Sequence, residues 1–160
     1  MPMAKLKLSL ESISCTSVET YIQSGNVVCN SRVKNAQTLN KKMLDAIEDD
    51  FGFRPNLMLL SEQQLLDAIS NNPFQSATSA PKTLHFFFLD AQPSKEKLSS
   101  VNEVASSSEQ FRLIGRVFYL YAPDGFGKSK LATSIERKLA VTATARNYAT
   151  IEKLKSMIRK

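Results

Sequence analysis

Residues 18–29 constrain the fold more than any other part of the chain. They hold two strand-forming runs, Val18-Glu19-Thr20-Tyr21-Ile22 and Val27-Val28-Cys29, hinged on Ser24-Gly25-Asn26. Val, Ile, Thr and Tyr suit a pleated, half-buried surface. Gly and Asn tolerate the positive φ of a tight reversal, so the stretch predicts a β-hairpin. Residues 110–114 and 116–121 predict a second hairpin that turns near Gly115. The rest of the chain reads as cover for one face of each ribbon.

Met3, Leu6, Leu10 and Ile13 recur at spacings of three, four and three, the stripe of a short amphipathic helix. Asn35 stands where an N-cap belongs, ahead of Leu39, Met43 and Ile47, and this second helix should end near Phe51-Gly52. Residues 56–60 read as a buried strand. Ser61-Glu62-Gln63-Gln64 has capping-box spacing and opens a third helix with Leu65, Leu66 and Ile69. Residues 71–82 are rich in turn formers and poor in periodicity, which predicts a linker between a half spanning 1–70 and another spanning 83–160. Residues 84–89 show no alternation, as suits a strand central to a sheet or covered on both faces. Helices follow with Leu98, Val101 and Ala105 after Pro93-Ser94, with Leu131, Ile135 and Leu139 after Ser129, and with Ile151, Leu154 and Ile158 from Asn147.

Residues 84–139 thus spell strand, helix, strand, strand, helix, and residues 3–60 spell helix, strand, strand, helix, strand. The strings match if the first half once had a strand ahead of Met3. The expectation is an α+β fold of two ferredoxin-like halves, each a split β-α-β plait with an antiparallel-rich sheet and helices on one face. No residue-level repeat accompanies this likeness of order.

A chain of 160 residues, 42% of them apolar, can bury a core without a staple. Cys15 and Cys29 are too few for a disulfide scaffold and have no Cys or His at metal spacing. They read as core thiols of a cytoplasmic protein, with no metal and no cofactor expected. No run approaches the length of a membrane span, and the first residues lack the apolar core of a secretion signal. The net charge of +6 is unevenly placed: residues 1–100 hold ten Lys/Arg and ten Asp/Glu, residues 101–160 eleven and five. That asymmetry fits an anionic small molecule or nucleic acid as partner, and it also fits a solvated basic surface with none.

Residues 122–129, Ala-Pro-Asp-Gly-Phe-Gly-Lys-Ser, lie between a strand and a helix as a phosphate-binding P-loop does. That pattern needs glycine where Ala122 stands, and the strand before it belongs to a hairpin, so a true P-loop is not expected. What survives is a helix start beside Lys128 and Lys130, with Gly125 and Gly127 shaping the loop and Ser129 as cap, suited to a phosphate or carboxylate. Arg146 and Asn147, at the opening of the last helix, complete the candidate anion site, Asn147 as cap and Arg146 as an arm toward a ligand or a carboxylate. His85, the single histidine, shows no carboxylate or nucleophile at a recognisable spacing and reads as structural, at a strand edge. Asp45, Glu48, Asp49 and Asp50 read as the wet face of a helix, not a metal cluster. Phe118, Tyr119, Tyr121 and Phe126 offer rings for base stacking, half of which strand alternation buries.

At Thr20-Tyr21-Ile22-Gln23-Ser24-Gly25-Asn26-Val27-Val28 the chain resembles a bacterial family catalogued as domain of unknown function 1697. The likeness continues at Asn72-Pro73-Phe74, through residues 123–131, and through residues 143–154. The resemblance implies ferredoxin-like α+β halves. It implies no activity and carries over no catalytic residue. Members begin with a strand and a glycine-containing turn ahead of the first helix, whereas here Met1 stands just before that helix. The resemblance therefore implies a start set too far downstream or a copy without its first strand, with a sheet edge to be covered.

Three functions fit these readings. The first is an intracellular domain that binds an anionic partner. The second is a small enzyme acting on a nucleotide-like or phosphorylated substrate, with Lys128 as electrostatic stabiliser. The third is a module that pairs with a copy of itself through an exposed strand edge.

Overall fold

The computed structural model describes residues 1–22 and 25–159. Among them the chain forms an α+β fold with two separate antiparallel sheets and six α-helices. It divides into two compact units, Met1–Ser61 with Leu154–Lys160, and Glu62–Lys153. The division falls at Ser61/Glu62, ahead of the turn-rich residues 71–82. Those belong to the second unit as two 3-10 turns, Gln75–Ser79 and Pro81–Thr83. Asn72 Oδ1 accepts the Phe74 amide at 2.9 Å, and the Phe74 ring lies 6.4 Å from Tyr121. Turn chemistry marks this segment in the sequence, but Asn72 and Ala77 within it are buried.

The first unit holds α1 (Met3–Ser12), β1 (Thr16–Tyr21), β2 (Asn26–Asn30) and α2 (Ala36–Phe51). The predicted stripe is the buried one: Leu6 and Leu10 share a cluster with Leu39, Met43 and Ile47, and Met3 and Ile13 pack against it. Asn35 caps α2 by accepting the Thr38 amide at 3.0 Å, and Gly52 closes the helix at φ 78°. That left-handed conformation is one in which a Cβ would be strained. β1 and β2 pair antiparallel with an irregularity between Thr16 and Glu19. Of the predicted turn residues, Ser24 lies outside the described residues, Gly25 has φ 82°, and Asn26 opens β2 with its amide nitrogen donating to the Tyr21 carbonyl at 3.2 Å. Residues 56–60 are not a strand. Among the described residues none of their backbone groups bonds to another backbone group. Leu57 and Leu59 pack on the cluster, and the Leu57 carbonyl accepts from the Asn40 side-chain Nδ2 at 3.2 Å. An apolar run becomes a strand only beside another strand, and here β2 pairs with β1 alone.

The second unit holds α3 (Glu62–Ser70), β3 (Leu84–Leu89), α4 (Lys95–Ser100), β4 (Gln110–Ile114), β5 (Val117–Tyr121), α5 (Lys130–Leu139) and β6 (Ala143–Asn147), and α6 (Tyr148–Ile158) opens in it. Its sheet runs β4-β5-β3-β6, every neighbour antiparallel. β3 is central and buried at all six residues, as its unbroken apolar run predicts. Phe87 and Leu89 face a cluster with Leu120, Leu131, Ile135 and Leu139. Phe86 faces the other way, 4.8 Å from the Tyr119 ring, and the Tyr119 hydroxyl donates to the Ala68 carbonyl of α3 at 2.6 Å. Helices therefore meet both faces of this sheet, not one as expected, because Phe86, Phe88 and Tyr119 leave an apolar second face that also needs cover. Phe118 and Tyr119 are both fully buried, so neither ring is free to stack a base. β6 is the strand the sequence reading missed. Its small and polar residues, Ala-Thr-Ala-Arg-Asn, lack a β-branched run, and pairing with β3 imposes the strand. Among the described residues no helix is long and apolar enough to cross a membrane.

Candidate functional site

One end of the second sheet gathers the start of β3, the end of β6 and the loop between β5 and α5. His85 and Asn147 are cross-strand partners, and the Phe126 ring lies 4.3 Å from the His85 ring. Phe126 of the predicted loop 125–130 and Asn147 of the predicted pair 146–147 thus meet at a residue read as purely structural. His85 lies in a central strand and not at an edge. It is only 7% exposed, and among the described residues its Nδ1 has no hydrogen-bond partner. Burial lowers its pKa to about 4, so the imidazole is neutral near neutral pH.

The loop shape follows its glycines and its cap. Gly125 sits at φ 104°, which favours a residue without Cβ, and residues Phe126–Lys128 make one 3-10 turn. Ser129 Oγ accepts the Ala132 amide at 3.0 Å and caps α5, as the sequence predicts. The same hydroxyl donates to the carboxylate of Glu109, whose other oxygen accepts the Ser106 amide at 2.8 Å. The start of α5 therefore carries an anion of the protein's own, which no spacing in the sequence reveals because Glu109 is twenty residues away. Ser108 binds Asp124 Oδ2 at 2.8 Å and ties the same two loops together.

Lys128 and Lys130 flank this cap, both exposed, and among the described residues neither lies within ion-pair distance of a carboxylate. Asn147 Oδ1 accepts the Thr150 amide at 3.0 Å and caps α6. Arg146 departs from the group. It is the cross-strand partner of Phe86 and so faces the opposite side of the sheet from His85, with Nη1 donating to the Ala145 carbonyl at 2.8 Å. Burial pushes its pKa down from the usual arginine value, and the guanidinium remains charged. The arrangement is thus a neutral buried imidazole under an aromatic lid, with two uncompensated lysines at the rim and no carboxylate orienting the histidine. Such a set can hold an anion; nothing in it activates a nucleophile. Among the described residues no group of three or more His, Cys, Asp or Glu is placed to hold a metal ion. Asp45 instead pairs with Lys41 at 2.7 Å and Arg54 at 2.8 Å on the wet face of α2, and these pairs hold its carboxyl below the usual range.

Fold and site together define a two-unit α+β protein with a basic loop over a buried histidine. The chain belongs to the family described as "Protein of unknown function (DUF1697)", whose model matches residues 1–119. Of the blocks that carry the resemblance, those at Thr20 and Asn72 fall inside this match; those at 123–131 and 143–154 lie beyond it. A solved structure, that of the conserved bacterial protein SP0830 from Streptococcus pneumoniae, is similar with a TM-score of 0.75 and 20% identity, covering 99% of this chain and 89% of that one. At that identity the likeness speaks for the fold. No curated protein matches.

Proposed function

We propose that the protein binds a small phosphorylated or otherwise anionic molecule at this end of the second sheet, with Lys128 and Lys130 supplying charge and His85 and Asn147 lying beneath. The observation that carries the reading is the His85 side chain. A buried polar atom without a partner costs about 1–3 kcal/mol, and a ligand atom that bonds to it recovers that cost. Lys128 lies in the loop that holds Phe126 over this ring, and Lys130 opens α5 two residues further on. Glu109 and Asp124 border the same loop and repel an extended polyanion, which favours a small ligand over nucleic acid. The enzymatic alternative has less support, since among the described residues no carboxylate bonds to His85 and no nucleophile is shown against it.

Calorimetric titration with pyrophosphate, a nucleoside monophosphate and a short single-stranded RNA, at low and at high salt, tests the reading. Weak binding of one of the small probes is expected, falling with salt and falling about tenfold or more in a Lys128→Ala, Lys130→Ala double variant. No heat from any probe at low ionic strength removes the proposal. Tighter binding of the RNA transfers the site to nucleic acid.

The fold reading extends in the same way. The second unit runs strand, helix, strand, strand, helix, strand with β3 and β5 central, which supports a ferredoxin-like plait. The first unit holds the helix, strand, strand, helix of that order, without counterparts of β3 and β6 among the described residues, which supports two related halves.

A further inference from the structure

We propose that Cys15 and Cys29 form a dithiol that closes an intramolecular disulfide across the first hairpin. Thr16 and Asn30 are partners at the open end of the antiparallel β1–β2 ladder, and Cys15 and Cys29 lie diagonally across that pair. The ladder slips between Thr16 and Glu19, with Ser17 at φ 50°, so the strands leave regular register opposite Cys29 and one residue from Cys15. Both side chains pack into the apolar cluster of the first unit, Cys15 as a buried member and Cys29 against it. They are free thiols, and the nearness of Cys15 adds to the burial that raises the Cys29 pKa. A disulfide requires close Cα atoms and Cβ vectors that converge, and here two side chains from adjoining segments converge on one apolar cluster. The Cys15 amide donates to the Leu10 carbonyl at 3.2 Å, which fixes one anchor of the bridge at the end of α1.

The chemistry needs an oxidant, and a low-molecular-weight disulfide such as oxidised glutathione suffices. Cys29, the more exposed of the two, attacks it as thiolate, forming a mixed disulfide and releasing one glutathione thiolate. Cys15 then attacks the Cys29 sulfur and releases the second. Two protein thiols and one glutathione disulfide become one protein disulfide and two glutathione thiols. Burial and the neighbouring Cys15 push the Cys29 thiol up to about 12, so thiolate is scarce at neutral pH and closure is slow. The pair therefore follows a lasting change in redox poise, not a brief oxidant pulse.

The test is equilibration of the full chain in reduced and oxidised glutathione mixtures at pH 9, followed by acid quench, alkylation and intact mass. The expected oxidised product is monomeric, two mass units lighter than the reduced chain, free of alkyl and glutathione adducts, and several degrees higher in thermal midpoint. Cys15→Ser should instead trap one glutathione on Cys29. Two free thiols, glutathione on both cysteines, or disulfide-linked dimers in the most oxidising mixture overturn the proposal on the unsubstituted chain alone.

Discussion

In the second unit β3 bonds to β5 on one side and β6 on the other, and all six of its residues are buried. In the first unit β2 bonds, among the described residues, to β1 alone, and only its first residue is buried. Both units contain an apolar run that reads as a strand, residues 56–60 in one and Leu84–Leu89 in the other, and only the second joins a ladder. An apolar run fixes that a segment will be covered. Whether it also becomes a strand depends on partners that lie elsewhere in the chain.

The sharpest way to break this contrast is to cut into each sheet. Phe86→Ala should cost about 3–5 kcal/mol in chemical denaturation, against about 1.5 kcal/mol or less for Val28→Ala in β2. Equal losses would mean that the units do not differ as described. Acid should come next and should act on the second unit. His85 folds with a pKa of about 4 against an ordinary 6.5, so between these values the unfolded chain binds more protons. Stability is thus full above pH 6.5 and falls as pH drops toward 4, by up to about 3 kcal/mol, and a His85→Phe variant should flatten the profile. Tyr119→Phe should cost about 1–3 kcal/mol by leaving the Ala68 carbonyl without its donor, seen as faster amide exchange in α3. The caps sharpen the comparison further. Asn35→Ala should cost about 1 kcal/mol in the first unit, and Ser129→Ala somewhat more in the second, because the Glu109 carboxylate loses its partner too. Arg54→Ala, which removes exposed pairs to Asp45 and Glu48, should change stability by less than about 1 kcal/mol and only at low salt.

Local signals carried most of the fold. The stripe of α1, the Asn35 and Ser129 caps, the Gly115 turn and the unbroken β3 run are each written within a few residues, and each stands where the sequence places it. The failures are long-range. β6 is a strand because β3 lies beside it, and residues 56–60 are not one because no ladder partner does. At the site, the loop and Asn147 were visible as turn and cap, but their meeting at His85 is a product of sheet order. Glu109 at the α5 cap was invisible for the same reason, and Arg146 was misgrouped because neighbours along a strand face opposite sides.

Asn147 is the last residue of β6 and the cap of α6, so strand passes into helix with no spacer between them. The length of chain at this joint is therefore fixed in a way that few other connections are. One inserted residue would turn the helix by about 100° and carry the fully buried Ile151 round to the side. Here the count of residues is itself a structural constraint.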